Sequence, residues 1–289
     1  MAGELRLGRR GFAPGEPALM AIVNRTPDSF FDRGATFAAD SALRAVETAV
    51  ADGADIIDIG GVKAGPGDPV DAAEEIRRTV PTIAAVRAAF PEVVISIDTW
   101  RAAVAVEAVA AGADLINDTW SGADPELAAV AARTGAGLVC AHTGGLRPRT
   151  RPHRAAFDDV VVDVVETVTG LAERAVRLGV RPDGILVDPT HDFGKNTRHS
   201  LELTRRLGEL VATGWPVLVA VSNKDFIGET LDLPVGERLP GTLATTAVSA
   251  WLGARVFRAH QVRQTRQALD MVASIRGDRP PAVSRRALA

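Results

Sequence analysis

Residues 51–60 read Ala-Asp-Gly-Ala-Asp-Ile-Ile-Asp-Ile-Gly, and this stretch decides the predicted fold. Gly53 suits the left-handed cap that ends a helix, and the apolar run after it is typical of a buried parallel strand. One carboxylate, Asp58, lies near the end of that run. Similar joints recur at residues 110–114 and 252–255. The repeat predicts strands that alternate with helices along the chain.

Eight runs of this kind are nearly continuous in apolar residues. They are Leu19–Asn24, Asp55–Gly60, Val93–Thr99, Asp114–Thr119, Gly137–Thr143, Gly184–Thr190, Pro216–Ser222 and Ala254–His260. Helical patterns lie between them, for example Ser41–Ala51, Asp71–Ala89, Arg101–Ala110, Asp158–Leu178 and Ser200–Val211. Ser41, Asp71 and Asp124 are suited to cap helix starts. Eight units predict an α/β protein with a single (β/α)8 TIM barrel, and an open doubly wound sheet is the alternative.

We expect residues 17–276 to form the barrel, with residues 1–16 as an N-terminal tail and residues 277–289 as a C-terminal tail. The first segment is charged and contains several Gly and Pro residues. In the last segment, the pair Pro280-Pro281 prevents the preceding helix from continuing.

Composition excludes several classes of protein. The net charge of −3 argues against a nucleic-acid partner, because such proteins usually carry a basic excess. The single cysteine, Cys140, excludes an internal disulfide and favours a reducing compartment. No apolar stretch is long enough to span a bilayer, and no secretory signal is visible. We therefore expect a cytoplasmic protein without a membrane partner.

Polar residues stand at the carboxyl end of every predicted strand. They are Asn24, Asp58, Asp98, Asn117-Asp118, His142, Asp188, Ser222-Asn223-Lys224, and Arg258 with His260. Barrel enzymes place their sites at this end. Asp98, Asn117 and Asp188 suit a flat heterocycle with several N–H donors, because a buried carboxylate needs donors to offset its desolvation. Lys224 adds a cation. Each residue alone could instead cap a helix or bond a loop.

A second set of residues is cationic and is predicted to lie toward the rim. Arg258, His260 and Lys63, together with Asn24, describe a site for an anion such as diphosphate, with Mg2+ bridging the oxygens. Arg25 and Arg33 either belong to this set or are solvated loop residues.

These motifs resemble the dihydropteroate synthase family over roughly residues 18–275. The first loop resembles the family's Asn-Val-Thr-Pro-Asp-Ser-Phe, and matching motifs follow the other strands in order. They are Asn24–Phe30, Asp58–Gly61, Ser96–Thr99, Asn117-Asp118, Asp188-Pro189 with Phe193–Lys195, Ser222–Lys224 and Arg258–His260.

The resemblance implies a transferase that joins 6-hydroxymethyl-7,8-dihydropterin diphosphate to p-aminobenzoate in folate biosynthesis. Diphosphate leaves first, and the arylamine then attacks the pterin methylene. The pterin would be held by Asp58, Asp98, Asn117, Asp188, Phe193 and Lys224. The diphosphate would be held by Asn24, Lys63, Arg258 and His260, with Asn24 as the protein ligand of Mg2+. Catalytic roles would fall to Lys224, Asp98 and Arg258.

The second loop departs from the family pattern. Synthases usually read Gly-Gly-Glu-Ser-Thr-Arg-Pro-Gly, whereas residues 60–67 read Gly-Gly-Val-Lys-Ala-Gly-Pro-Gly. The Thr and Arg that contact diphosphate and frame the p-aminobenzoate pocket become Ala64 and Gly65. Loss of a charged hydrogen-bonding partner costs about 1.5–3 kcal/mol. Lys63 carries its charge on one ammonium group and cannot make the paired, planar hydrogen bonds of an arginine guanidinium.

Other positions also depart from the family pattern. Ala141 replaces a Met, Asn223 replaces an Arg and Gln261 replaces an Asp. His191-Asp192 stands where glycine-rich sequence is usual; it either contacts the substrate or orders its loop. The pattern resembles diverged second-copy members of the family.

Two functions therefore remain open. The first is a working synthase, and the alternative is a diverged paralogue that binds pterin without synthase activity. A transferase for another amine or a methyl-pterin is a third reading. A Schiff-base aldolase and a zinc hydrolase are disfavoured. Family members pair through their last helices, so we expect a homodimer formed by Gly241–Gly253 and Gln261–Ile275.

Overall fold

Strands and helices alternate as predicted in the computed structural model, which describes residues 4–26, 39–150 and 156–286. The described strands are β1 (Leu5–Leu7), β2 (Arg10–Phe12), β3 (Ala18–Asn24), β4 (Ile56–Gly60), β5 (Val94–Asp98), β6 (Leu115–Asp118), β7 (Gly137–Ala141), β8 (Ile185–Asp188), β9 (Leu218–Val219) and β10 (Val256–Ala259). All eight predicted strands are present, although the seventh is two residues long rather than seven.

Strands β3 to β10 form one parallel sheet that closes on itself. The order is β8-β7-β6-β5-β4-β3-β10-β9. The two ends meet where Val187 of β8 bridges to Val217, just before β9, and the Val187 amide donates to the Pro216 carbonyl over 3.0 Å. The closed sheet is the TIM barrel that the sequence predicts, and the open doubly wound sheet is excluded.

Helices cover the outside of the barrel. They are α1 (Ala39–Ala51), α2 (Ala72–Ala89), α3 (Ala102–Ala110), α4 (Leu127–Thr134), α5 (Val160–Arg177), α6 (Thr197–Arg205), α7 (Leu207–Val211), α8 (Asp225–Leu231), α9 (Leu239–Trp251) and α10 (Val262–Arg276). Asp71 caps α2 as predicted, because its carboxylate accepts from the Glu74 amide at 2.8 Å. The cap predicted at Ser41 is wrong, since α1 already includes Ala39. The helix predicted over residues 200–211 is divided at Arg206.

Alternation along each strand builds the barrel interior in layers. The lowest layer is apolar and fully buried, and includes Met20, Ile56, Val94, Leu115, Val139, Leu186, Leu218 and Val256. Two residues further along, the same faces carry Asp58, Asn117, Asp188 and Arg258. Two residues further again come Asn24, Asp98, Thr119, Thr190, Ser222 and His260. The polar groups of separate strands are therefore stacked above an apolar base.

A hairpin covers the amino-terminal end of the barrel, so the tail predicted over residues 1–16 is wrong for the described residues 4–16. Strands β1 and β2 pair antiparallel, with Leu5 opposite Phe12. The side chains of Leu5, Leu7 and Phe12 are completely buried in the same cluster as the lowest barrel layer. Without the hairpin this apolar layer would face water. Near the carboxyl-terminal end of the chain, residues 277–286 follow α10 and are exposed.

None of the helices in the described ranges combines the length and the hydropathy that a bilayer-spanning helix needs.

Candidate functional site

An arginine joins two carboxylates on the floor of the barrel mouth. The Nε of Arg258 donates to Asp58 Oδ2 at 2.6 Å, and its Nη2 donates to Asp98 Oδ2 at 2.9 Å. Asp58 is completely buried, and the side chain of Asp98 is 25% exposed. Arg258 was predicted among the rim cations. It lies instead with the floor carboxylates, because its position along β10 points it into the barrel.

Neighbouring strands complete this floor. Asn117 is paired in register with Asp98, and its Nδ2 donates to Asp58 Oδ2 at 3.2 Å. Thr119 donates its hydroxyl to Asp98 Oδ1 at 2.9 Å. Asp188, on β8, accepts the Thr190 amide at 2.7 Å. The structure thus brings the four predicted floor residues Asp58, Asp98, Asn117 and Asp188 to one end of the barrel.

Burial strongly influences the protonation of the floor. It raises the pKa of Asp98 to about 7, with Arg258 opposing the rise and Asp58 adding to it. Burial also raises the pKa of Asp188, against the nearby charge of Lys224. Burial alone would lower the pKa of Arg258, but the carboxylates of Asp58 and Asp98 outweigh it and raise that pKa. The floor therefore favours a ligand that donates hydrogen bonds or carries positive charge.

Aromatic residues line the side of the mouth near Lys224. The Lys224 ammonium donates to the His191 carbonyl and lies 4.9 Å from the ring centre of Phe193. Trp120 meets Phe193 edge-on at 5.3 Å, and Trp100 meets Trp120 at 6.4 Å. Sequence reasoning did not single out Trp100 and Trp120. The available signal was their position directly after Thr99 and Thr119, at the ends of β5 and β6.

The pair His191-Asp192 orders its loop. The His191 ring is completely buried, stacks on Phe226 at 5.5 Å and approaches the Thr204 hydroxyl at 3.1 Å. Asp192 accepts from Ser200 at 3.0 Å and from the Phe226 amide at 3.2 Å. Of the two interpretations of this pair, the contacts support loop ordering.

Lys195 ties the same loop to the barrel. Its Nζ donates to the carbonyls of His142, Thr190 and Phe193 at 3.0, 3.1 and 2.8 Å. Burial lowers the pKa of Lys195 to about 7, and the nearby charge of Lys224 acts in the same direction.

The predicted rim residues lie at or shortly after the carboxyl ends of their strands. Asn24 is half-buried and paired in register with Gly60. The ring Nδ1 of His260 is 3.0 Å from the Ser222 hydroxyl. Lys63 is half-buried in the second loop. Arg25 is buried rather than solvated, and its Nε donates to the Arg78 carbonyl at 3.1 Å. Arg33 and the motif residues Pro27 to Phe30 lie outside the described ranges.

Three arginines from other elements donate to carbonyls of the second loop, residues 61–70. Arg78 of α2 bonds the Gly61 carbonyl at 3.0 Å, and Arg101, at the start of α3, bonds that of Val70 at 2.6 Å. Arg149, from the segment after β7, bonds Asp68 at 2.7 Å and Gly65 at 3.4 Å through their carbonyls.

Two of the departures found in the sequence lie side by side. The Nδ2 of Asn223 donates to Gln261 Oε1 at 3.1 Å, and the Ser222 hydroxyl approaches the same oxygen at 3.4 Å. In the part of the chain that the structure describes, no cluster of three or more His, Cys, Asp or Glu residues could hold a metal.

Residues 20–260 match the sequence family described as pterin binding enzyme. The chain belongs to this family. A Mycobacterium leprae protein named inactive dihydropteroate synthase 2 is 59% identical over 284 residues, which cover 97% of this chain and 98% of that protein. The dihydropteroate synthase of Haemophilus influenzae is 36% identical and covers 88% of this chain and 92% of its own length.

Solved structures of the pterin-binding family have the same fold. The Yersinia pestis dihydropteroate synthase, solved with a sulfonamide drug complex, superposes with a TM-score of 0.90 at 34% identity. The match covers 96% of this chain and all of that one. The resemblance to dihydropteroate synthases seen in the sequence is thus confirmed in fold and in family, and it includes relatives that are named inactive.

Proposed function

We propose that this protein binds a reduced pterin on the barrel floor and has lost efficient condensation with p-aminobenzoate. It is thus a diverged paralogue of the dihydropteroate synthases. The observation that carries the proposal is the hydrogen-bonded floor of Asp58, Asp98, Asn117 and Arg258 above an apolar base. Such a group of buried polar residues is costly unless a ligand or a network satisfies it.

The floor matches a pterin in chemistry. A pterin ring presents an amino group and ring N–H donors along one edge, and Asp98 and Asp188 offer acceptors for them. Asn117 can donate and accept. Lys224 lies close enough to Asp188 for their charges to interact, and so supplies a cation for a ring carbonyl or nitrogen. Phe193 offers an aromatic surface beside it.

The changes at the rim disfavour the condensation. Departure of diphosphate needs positive groups that stabilise developing negative charge. The synthase motifs provide a guanidinium at each of two positions that are Gly65 and Asn223 here. Arg258 does not replace them, because two carboxylates already pair with it. The relative of 59% identity that is named inactive supports the same conclusion.

Magnesium fits this site only as an ion brought by the diphosphate. Asn24 supplies one amide oxygen at the end of β3, and no protein cluster of three or more acidic or His ligands lies in the described ranges. Mg2+ often binds through few protein groups and several phosphate oxygens. Asn24 would then hold the ion against the diphosphate, and Lys63 and His260 would lie beside the anion.

A homodimer is part of the proposal. Helices α9 and α10, which overlap the two segments predicted to pair, carry the exposed apolar side chains Val248, Trp251, Met271 and Ile275. Their exposed fractions lie between 49% and 61%. Solvent-exposed apolar groups gathered on two packed helices mark a protein interface.

The decisive experiment separates binding from turnover. Binding of 6-hydroxymethyl-7,8-dihydropterin is measured by calorimetry. Formation of dihydropteroate is measured with the pterin diphosphate, Mg2+ and p-aminobenzoate. Pterin binding without product at high protein concentration supports the proposal. Product at a rate typical of enzymes, about 1 s⁻¹ or faster, supports the second candidate, a working synthase, which the presence of Lys224, Asp98 and Arg258 favours. Failure to bind pterin would overturn both.

A further inference from the structure

The segment after β7 contacts the second loop through the side chain of Arg149. Strands β7 and β4 are separated by β5 and β6 in the sheet. Nevertheless, Arg149 contacts the carbonyls of Gly65 and Asp68, which lie after β4. These contacts therefore bring the segment after β7 beside the second loop, on the side of the barrel that carries β5 and β6. Asp98 ends β5 and Asn117 is the last residue but one of β6, so these two floor residues belong to the strands that lie between the two segments.

Arg149 differs from the other two arginines that bond this loop. Arg78 pairs with Glu74 at 2.6 Å, and Arg101 pairs with Glu75. Within residues 4–26, 39–150 and 156–286, Arg149 has no carboxylate partner and makes only its two carbonyl bonds. A guanidinium has five N–H donors, so three of them are left for a ligand. Among the described residues, no carboxylate oxygen lies within ion-pair distance of this half-buried guanidinium.

Two further observations fit a ligand role. The backbone of Arg149 is left-handed, with φ of 62°, a conformation that costs energy in a residue with a side chain. Ala64 and Gly65 of the bonded loop carry no long side chain of their own. An oxyanion above the floor could therefore approach the free edge of the guanidinium, whose fork matches phosphate and carboxylate oxygens.

We infer that Arg149 is an oxyanion-binding residue at the rim, which holds the phosphate or carboxylate group of a ligand seated above the pterin. The inference rests on the proposed function for the position of that ligand. It assigns to a residue after β7 a specificity role that no motif in the sequence predicted. The two sources of the oxyanion are a diphosphate attached to the pterin and a carboxylate on a separate aromatic acid.

The test uses the full chain and two probes, inorganic diphosphate and p-aminobenzoate. Each is titrated calorimetrically into the free protein and into protein saturated with 6-hydroxymethyl-7,8-dihydropterin. Arg149→Gln removes the charge, and Arg149→Lys keeps it without the fork. Arg147→Gln is the matched control, because Arg147 is exposed in the same segment and its side chain makes no hydrogen bond or ion pair in the described part of the chain.

We expect Arg149→Gln to lower the affinity for at least one probe by about tenfold, and Arg149→Lys to lower that affinity by less. Arg147→Gln should change the affinity for neither probe by more than about twofold, and the affinity for the pterin should be equal in all variants. If Arg149→Gln weakens only the binding of diphosphate, the oxyanion is the diphosphate attached to the pterin. If it weakens only the binding of p-aminobenzoate, the oxyanion is the carboxylate of a second ligand.

Two results would overturn the inference: wild-type protein that binds neither probe, or equal effects of Arg149→Gln and Arg147→Gln. A wild type that binds a probe through Arg149 but does not bind pterin would instead reject the proposed function alone.

Discussion

Asn223 donates from its amide nitrogen to the side-chain carbonyl of Gln261 over 3.1 Å, so two separate departures from the synthase motifs form one contact. The family pattern has an arginine at the first position and an aspartate at the second. Here a neutral amide pair occupies both. The exchange removes one positive and one negative charge together and leaves the local net charge unchanged, but the mouth loses a guanidinium.

This contact predicts coupling between the two positions. Asn223 is 1% exposed, so Asn223→Arg alone buries an unpaired cation and should lower the free energy of unfolding by about 3 kcal/mol. Gln261→Asp alone should lower the free energy of unfolding by less. The double variant restores an ion pair and should recover most of the loss. Urea denaturation of all four proteins gives the coupling energy; strictly additive losses would contradict the contact.

Pterin binding should depend on Asp188. Asp188→Asn replaces a carboxylate acceptor by an amide in a site where burial raises the pKa of the acid. We expect the affinity for 6-hydroxymethyl-7,8-dihydropterin to fall about 10- to 100-fold. Asp183→Asn, at a partly exposed ion pair with Arg181, is the control and should bind normally. Quenching of tryptophan fluorescence gives the affinity, because Trp120 packs against Phe193. Equal affinities in the two variants would remove Asp188 from the site.

Pterin affinity should also depend on pH through Asp98. Burial raises the pKa of this acid from 3.8 to about 7, so the free protein takes up a proton there as the pH falls through about 7. The protonated acid loses an acceptor, and the pterin must displace that proton. The affinity should therefore fall up to tenfold per unit of pH below 7 and level off above it. Titrations between pH 5.5 and 8.5 check this. Asp98→Asn should bind weakly with a flat profile, and a flat wild-type profile would contradict the argument.

Lys195 should matter for stability rather than for binding. Lys195→Met leaves the carbonyls of His142, Thr190 and Phe193 without their shared donor. Orphaned buried carbonyls are costly, but removal of a buried charge offsets part of the loss, so we expect a net destabilisation of about 2 kcal/mol at pH 6. Thermal denaturation measures it. Arg177→Met, at an exposed position, should change stability little. A variant as stable as wild type would show that these three bonds contribute nothing.

The proposed dimer predicts a sharp response to charge on α9 and α10. Trp251→Glu combined with Ile275→Glu places two carboxylates on the exposed apolar surface of these helices. Sedimentation analysis should then show a monomer where the wild type sediments as a dimer. Val106→Glu, on α3, alters an exposed apolar residue elsewhere and should leave the dimer intact. A wild type that sediments as a monomer would reject the interface.

Much of the fold could be predicted because local patterns repeat. Each apolar strand ends in a polar residue, and this placed Asp58, Asp98 and Asn117 correctly at one end of the barrel. The alternation of inward and outward residues along β10 also indicates that Arg258 points into the barrel, although we predicted it to lie with the cations at the rim. The hairpin was missed because its three-residue strands carry too few apolar positions for a periodic signal.

The contacts of the loops could not be predicted for a different reason. Asn223 and Gln261 are 38 residues apart, and Arg149 and Asp68 are 81 apart. Nothing in the local sequence of either partner specifies such a pairing; only the closed barrel brings these segments together. The role of His191-Asp192 stayed open for the same reason, because Phe226 and Thr204 come from elements later in the chain.

The hairpin that buries Leu5, Leu7 and Phe12 has a kinetic consequence. It covers the packed apolar layer at the amino-terminal end of the barrel, so a ligand of the proposed site would reach the floor only from the carboxyl-terminal mouth. If a pterin binds the floor as proposed, it must arrive before any companion ligand that sits above it, and it can leave only after that companion has gone. The companion should therefore slow pterin escape in proportion to its own occupancy, and a rapid-mixing experiment would record this as trapping.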